Sequence, residues 1–149
     1  MSKASGNIPI SHRKRARDLL VQAIYQWQMS GYPPEQIEAE YRADNGKKVD
    51  WEFFSQAITT VAAEAAKLDA IYEPMLDREL RHLDPIETAI LRLGMFELGK
   101  RIDVPYKVVI NEYVELAKKY GAAESHKYIN GILDKAARFL RKVELRLPA

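Results

Sequence analysis

The stretch 104–137 constrains the fold most, because its apolar spacing predicts two amphipathic helices joined at Gly121. Apolar residues recur at helical intervals on either side of this glycine. Gly121 follows the last apolar residue of the first helix, where a helix commonly ends on a residue with positive φ. The stretch therefore predicts a helical hairpin. Its apolar positions are Tyr106, Val109, Ile110, Tyr113, Leu116, Ala117 and Tyr120 in the first helix, and Ile129, Ile132, Leu133, Ala136 and Leu140 in the second.

The N-terminal part of the chain predicts three more helices and shows no strand-like alternation. Ser11 is a candidate N-cap for a helix that runs to about Ser30. A short acidic helix follows over residues 34–44. Asp50 is a candidate N-cap for a long helix that runs to about Met75.

The start of a further helix is marked by Asp84 and Glu87, whose spacing is that of a capping box. This helix runs to about Lys100 and is apolar nearly all round, so we expect it to lie at the centre of the fold. Glu97 falls on its apolar side. We expect that carboxylate to lie at the rim of the core or to pair with a neighbouring basic side chain, such as Lys100 or Arg101.

Together these segments predict an all-α protein of two three-helix bundles packed together. We expect one domain over residues 1–149, with a flexible tail at 1–10, an N-terminal helical half at 11–76 and a C-terminal helical half at 84–149. A chain of 149 residues is long enough for the two halves to share a core.

Composition argues against several classes of function. The chain has no cysteine, so it forms no disulfide and no thiolate metal site. No apolar run approaches the ~18 residues of a membrane-spanning helix, and the polar start lacks a signal-peptide core, so we expect a cytoplasmic protein without membrane contact. His12, His82 and His126 are far apart and lack metal-ligand spacing. We therefore expect no enzyme activity and no cofactor, and a function that depends on surfaces.

Charge is distributed unevenly along the chain. Residues 1–17 carry a net charge of +5, residues 18–79 carry −7 and residues 80–149 carry +4. A nucleic acid would therefore contact the two ends of the chain, while the acidic middle would suit a basic protein partner.

The most concentrated positive charge comes from Arg13, Lys14, Arg15 and Arg17. On a helix, Arg13 and Arg17 project to the same side as the apolar residues that follow them. A buried stripe does not accommodate two unpaired arginines, so we expect the first turns of this helix to overhang the core. Such an arginine-rich element binds RNA phosphates and can order on binding. A solubilising basic tail is the alternative.

The predicted hairpin also has polar edges. One edge of its first helix carries Lys107, Asn111 and Lys118. One edge of its second carries Lys127, Lys135, Arg138 and Lys142. These edges suggest a nucleic-acid surface. Lysine-rich outer faces are also common on ordinary solvated helices, so the hairpin alone does not decide between the two interpretations.

Three stretches resemble the NusB family of transcription antitermination factors. They are RKRARDLLVQAIYQWQMS from Arg13, IETAILRLGMFEL from Ile86 and, above all, DVPYKVVINEYVELAKKYGAAESHKYINGILDKAA from Asp103. Residues 31–75 match in helical pattern more than in letters, and the family's pattern does not explain the residues before Ser11. The resemblance implies a fold of two three-helix bundles. It also implies an RNA-binding adaptor that works with NusE, a ribosomal protein, on the single-stranded boxA element of nascent ribosomal RNA leaders.

Carried onto this chain, the resemblance implies an RNA surface of basic residues, one acidic residue and one aromatic ring. Glu124 stands in the loop before the last helices, at the RNA edge. Tyr128 stands where relatives commonly carry Phe, so the ring is kept and a hydroxyl is added. Basic contacts to phosphates and aromatic stacking, at about 1–3 kcal/mol per base, are how single-stranded RNA is usually bound. The implied residues are Arg13, Lys14, Arg15, Arg17, Arg92, Lys107, Glu124, Lys127 and Tyr128.

The resemblance places Tyr25 and Glu87 on the surface that faces NusE, and implies indirect contact with other Nus factors and RNA polymerase. By its position off the inward stripe, Tyr25 is a stacking platform, a partner contact or a half-buried rim residue. A homodimer that hides the basic face is left open. Two other functions compete with the adaptor: a protein-interaction module with an incidental basic surface, and the RNA-recognition part of an RNA-modifying enzyme. The shortness of the chain argues against the last.

Overall fold

The computed structural model describes residues 8–146 of the chain. Every regular element assigned in that range is a helix, so the all-α prediction is confirmed. Most of the predicted tail at 1–10 lies outside the described residues. The helices are α1 (Ile10–Ser30), α2 (Pro34–Asn45), α3 (Trp51–Tyr72), α4 (Pro85–Lys100), α5 (Tyr106–Tyr120), α6 (Ser125–Leu140) and α7 (Lys142–Arg146), and two 3₁₀ turns (Glu73–Met75 and Leu80–His82) lie between α3 and α4.

The helices form the two predicted three-helix bundles. Helices α1, α2 and α3 pack together in the N-terminal half, and α4, α5 and α6 pack together in the C-terminal half. Helix α4 contacts α1 and α3 of the first bundle as well as α5 and α6 of its own. Its residues Leu91, Leu93, Phe96 and Leu98 are fully buried, which confirms that this helix is central. Buried residues of both bundles join in one core.

The helix starts follow the predicted capping residues in two cases of three. Asp50 accepts a hydrogen bond from a backbone N–H in the first turn of α3 at 3.0 Å, and Asp84 does the same for α4 at 2.6 Å. Glu87 accepts from the backbone N–H of Asp84 at 3.3 Å and completes a capping box. Ser11 is not a cap, because α1 already begins at Ile10 after Pro9.

The turn between α5 and α6 differs from the prediction in its backbone. Gly121 has an ordinary φ of −88°, and the left-handed residue is Glu124, with a φ of 74°. Gly121 is instead favoured by close packing, since a Cβ there would lie 2.8 Å from the carbonyl oxygen of Ala117. The hairpin itself is confirmed, and its connection is four residues long, from 121 to 124.

Candidate nucleic-acid interface

Arg17 is a core residue, contrary to the prediction. Helix α1 is continuous from its first turn, and the Arg17 side chain is only 4% exposed. Its Nη2 and Nε donate to the two carboxylate oxygens of Glu97 at 2.6 and 3.0 Å. Glu97 is completely buried and also accepts a hydrogen bond from the hydroxyl of Tyr113 at 2.8 Å. The predicted overhang is wrong because the buried charge is paired.

The pKa values of this cluster follow from the pairing. Burial lowers the pKa of Arg17, but the hydrogen bonds and charge of Glu97 outweigh it and leave that pKa raised. Burial, with the charge of Glu97, raises the pKa of the Tyr113 hydroxyl well above its usual value. Arg17 is therefore permanently charged and held inside, where it fastens α1 to α4. This burial contradicts its prediction as a phosphate ligand, and Glu97 pairs with Arg17 rather than with Lys100 or Arg101.

The other basic residues at the start of α1 differ in exposure. Arg13 is largely covered, and its Nε donates to Asp50 at 2.6 Å. Lys14 is 58% exposed and pairs with Glu112 of α5 at 3.2 Å. Arg15 is exposed. An exposed ion pair contributes little stability, so Lys14 can exchange Glu112 for a phosphate at small cost.

Helices α1 and α5 run side by side in the same direction. Lys14 lies opposite Glu112, and Asp18, one turn further along α1, binds Lys119 at 2.5 Å. The basic start of α1 therefore lies beside the first half of α5. Lys119 extends the exposed positive charge towards the C-terminal end of α5.

The outer edge of α5 faces α6 across a groove. Lys107, Asn111 and Lys118 line this groove from α5, as their helical spacing predicted. Asn130 and Asp134 of α6 line the opposite side. Lys107 is exposed, so its ammonium group is accessible to a phosphate from solvent.

The start of α6 carries the predicted aromatic residue. Lys127 is 72% exposed and pairs with Glu124 at 2.9 Å. Tyr128 is half-buried against the core, and its hydroxyl accepts a hydrogen bond from the backbone N–H of Asp77 at 3.2 Å. Arg78 places its guanidinium carbon 4.3 Å from the centre of the Tyr128 ring. The pKa of the Tyr128 hydroxyl is raised, and burial of the side chain is the largest cause.

The predicted RNA residues thus form two clusters, which we call the α1 cluster (Lys14 and Arg15) and the α6 cluster (Glu124, Lys127 and Tyr128). Lys14 of the α1 cluster reaches Glu112 of α5, whereas Arg15 donates to Asn45 at the end of α2 at 3.2 Å. Helix α6 begins beyond the end of α5. Gly121 lies nine positions after Glu112, or roughly 14 Å along the axis of α5. Lys118 and Lys119 are exposed near the end of α5, where Lys118 lines the groove to α6 and Lys119 binds Asp18 of α1.

Arg92 does not belong to either cluster. Its guanidinium binds both carboxylate oxygens of Asp69 on α3, at 2.8 and 2.9 Å, and its Nη1 donates to Gln28 of α1 at 3.1 Å. The hydrogen bonds to Asp69 are the largest cause that raises its pKa. Arg92 therefore faces α1 and α3 and is bound there, away from the α5 and α6 surface.

The two residues predicted to face NusE lie near the junction of α1 and α4. Gln28, one turn after Tyr25, donates to the carbonyl oxygen of Pro85 at 2.9 Å, which fixes the end of α1 beside the start of α4. Glu87 is occupied twice, by the capping box and by the hydroxyl of Ser125 at 2.7 Å. Its carboxylate therefore ties the starts of α4 and α6 together.

Tyr25 is the first of three exposed residues with apolar side chains near the end of α1. Met29 follows one turn later, and Tyr32 lies just beyond the helix end. Sequence reasoning identified only Tyr25, because single exposed apolar residues are common and carry no signal by themselves. Their grouping marks this end of α1 as a candidate protein-binding surface.

Neither a helix suited to crossing a membrane nor a group of metal-ligating side chains is found among the described residues. None of the helices between residues 8 and 146 combines the length and the apolar character needed to span a bilayer. Over the same range, no three His, Asp or Glu side chains are grouped so as to hold a metal ion.

Fold and surfaces together define an all-helical protein of two bundles that exposes basic side chains along α1, α5 and α6. Residues 14–138 match the model of the NusB family. The chain therefore belongs to the NusB family. It is 54% identical over 134 residues to the transcription antitermination protein NusB of Pseudoalteromonas atlantica, covering 89% of this chain and 96% of that protein. It is also 54% identical over 134 residues to that of Teredinibacter turnerae, covering 89% and 91%.

Solved structures show the same likeness. The structure of T. maritima NusB matches with a TM-score of 0.79 and 27% identity, over 91% of this chain and 97% of that chain. A chain from a crystal structure of the antitermination factors NusB and NusE in complex with double-stranded RNA matches with a TM-score of 0.77 and 28% identity. That match covers 87% of this chain and 98% of the other.

Proposed function

We propose that this protein is an RNA-binding transcription antitermination factor that acts with NusE on nascent transcripts in the cytoplasm. Support comes from its membership of the NusB family and from its likeness to a chain in a complex of NusB, NusE and RNA. The target we propose is the single-stranded boxA element of ribosomal RNA leaders, and other Nus factors and RNA polymerase are the indirect partners. The single domain expected over residues 1–149 is supported, for the described residues 8–146, by the one core in which the buried residues of the two bundles join.

The observation that carries this proposal is the set of exposed basic side chains on α1, α5 and α6. Lys14 and Lys127 are more than half exposed and are held only by single ion pairs to glutamates. Lys118 and Lys119 add exposed positive charge near the end of α5. Phosphates that replace these glutamates gain charge-assisted contacts, and the counterions released from the RNA favour binding further.

The path of the RNA follows from this arrangement. A strand that begins beside Arg15 and Lys14 runs along α5 and reaches Tyr128 at the start of α6. Lys107, across the outer edge of α5, offers one more phosphate contact. Glu124 would then act by holding Lys127 in place until RNA binds, because the two side chains are paired in the free protein. Arg13 supports the path indirectly, through its pair with Asp50.

The NusE surface is proposed on the exposed end of α1. Tyr25, Met29 and Tyr32 supply apolar and aromatic contact area, which is typical of protein interfaces. Acidic residues dominate residues 18–79, and this charge suits a basic ribosomal protein. Glu87 contributes by fixing the neighbouring helix starts rather than by a free carboxylate.

Salt-dependent RNA binding tests the proposal. Fluorescence anisotropy with a short boxA-like strand is measured at several salt concentrations for the wild type, Lys14→Ala, Arg15→Ala and the control Lys67→Ala, which removes an exposed lysine of α3. We expect the first two variants to bind more weakly and to lower the salt slope by about 0.7 for each phosphate that the variant no longer neutralises. The control should match the wild type.

Equal losses of affinity in all three variants would reject the proposed path, because RNA affinity would then not depend on where the positive charge is removed. Weak binding that ignores salt would favour the protein-interaction module instead. The homodimer that the sequence left open would compete with RNA if it covered α1 and α5, and a titration repeated at two protein concentrations detects it as a change in apparent affinity.

A further inference from the structure

Arg78 occupies the outer side of the ring that we expected to stack on RNA. It lies between the two 3₁₀ turns that connect α3 to α4, a linker in which the sequence analysis placed no RNA-binding or partner-binding residue. Its guanidinium carbon is 4.3 Å from the centre of the Tyr128 ring, and its side chain is 41% exposed. The ring also packs against the core. Two planar groups are therefore partly exposed at this point, the guanidinium of Arg78 and the phenol ring of Tyr128.

Two contacts hold Arg78 in this position. Asp77 accepts a hydrogen bond from Nε of Arg78 at 2.7 Å, and its own backbone N–H donates to the hydroxyl of Tyr128 at 3.2 Å. The hydroxyl thus fastens the linker to α6, and the carboxylate orients the guanidinium. This gives a structural role to the hydroxyl that distinguishes Tyr128 from the Phe expected of relatives.

We propose that the guanidinium of Arg78 is the platform on which one unpaired RNA base stacks, with the Tyr128 ring beneath it as support. The inference rests on the proposed function and deepens it, since it names a residue that reads the RNA through a base. Guanidinium planes stack on unpaired bases as aromatic rings do. The Tyr128 ring covers one face of the guanidinium, so the opposite face is the one on which a base would stack. Lys127, the residue next to Tyr128, then binds the phosphate beside that base.

A different role for Arg78 would have the opposite effect of its removal on RNA affinity. If the base stacked directly on Tyr128, Arg78 would be a lid that RNA must displace, and its removal would strengthen binding. The geometry favours the platform, because one face of the guanidinium is satisfied by the ring while the side chain stays substantially exposed.

The test compares Arg78→Ala, Arg78→Lys and the matched control Arg81→Ala, which removes an exposed arginine from the same linker. RNA affinity is measured by anisotropy for the complete chain with NusE. We expect Arg78→Ala to bind about 5- to 150-fold more weakly, which is the loss of one stacked base. Arg78→Lys should lose most of the same affinity with an unchanged salt slope, because it keeps the charge but not the plane. Arg81→Ala should stay within about twofold of the wild type.

Three results would overturn the platform. Tighter RNA binding by Arg78→Ala would mean that Arg78 is a lid, and wild-type affinity in Arg78→Lys would mean that it makes a charge contact. Equal losses of affinity in Arg78→Ala and Arg81→Ala would mean a general effect of linker charge. Tyr128→Phe removes the hydroxyl that holds the linker but keeps the ring, and we expect it to lose less RNA affinity than Arg78→Ala. If the wild type itself binds no RNA, the proposed function fails together with this inference. If it binds with the expected salt dependence and the Arg78 variants match it, only this inference fails.

Discussion

Breaking the buried pair between Arg17 and Glu97 should destabilise the protein more than any surface change. Glu97→Gln keeps the shape of the side chain but leaves the Arg17 charge, which is 4% exposed, without its partner. Removal of one partner from a buried pair costs about 3–5 kcal/mol. Glu112 lies 3.9 Å from the other end of the guanidinium and offsets part of that cost, so we expect about 3 kcal/mol. Arg17 and Glu97 join α1 to α4, so the whole fold is affected.

Urea unfolding measures this loss of stability. With a slope of about 2 kcal/mol per molar, the midpoint should fall by about 1.5 M. The double variant Arg17→Met/Glu97→Gln removes the orphaned charge and leaves an amide oxygen for Tyr113, so it should be more stable than Glu97→Gln alone. Lys119→Ala, at an exposed pair with Asp18, is the control and should cost less than about 1 kcal/mol.

A loss below about 1 kcal/mol in Glu97→Gln would refute this reasoning. So would additive losses in the double variant, because two residues that act as one pair must couple.

Three further predictions concern the turn, the pH dependence and the partner surface. Gly121→Ala should lower the free energy of unfolding by about 1–3 kcal/mol, since its Cβ would press on a backbone oxygen at 2.8 Å. Gly131→Ala, in open space on α6, should raise the free energy of unfolding by up to about 1 kcal/mol, and thermal unfolding compares the two variants. Burial raises the pKa of Asp18, but the hydrogen bonds from Lys119 and Tyr120 outweigh it and leave that pKa lowered. The stability advantage of the wild type over Asp18→Asn should therefore be present above about pH 4 and shrink as the pH falls further, and an advantage that stays constant or grows as the pH falls would contradict this. Tyr25→Ala should weaken NusE binding in calorimetry and leave the salt slope of RNA binding unchanged, and a changed slope would mean that the RNA and NusE surfaces overlap.

Local patterns predicted most of the fold because helices are specified by nearby residues. The apolar spacing identified the helices and the centrality of α4, and the caps at Asp50 and Asp84 followed from side chains within three residues of their partners. The hairpin of α5 and α6 was predicted for the same reason. The turn within it was not, because the reason for a glycine at Gly121 is contact with the preceding helix turn and not its own φ.

The site was less predictable because its contacts join distant parts of the chain. Arg17 and Glu97 are 80 positions apart, so nothing near Arg17 indicated that its charge is paired and buried. Arg78 lies 50 positions before Tyr128, and a charged linker gives no signal of what it packs against. The exposed lysines were easier to identify, since position on a helix face determines exposure. Their role in RNA binding remains a prediction.

The most direct test of the central proposal is the preference of the wild-type protein for boxA RNA. Anisotropy titrations compare a short boxA-like strand with a scrambled strand of the same composition, each with and without purified NusE, at one fixed salt concentration. We expect tighter binding to boxA than to the scrambled strand, and a preference that increases when NusE is present. Equal, weak affinity for both strands that NusE does not change would contradict this expectation, and would leave the basic surface of α1, α5 and α6 without a role in RNA recognition.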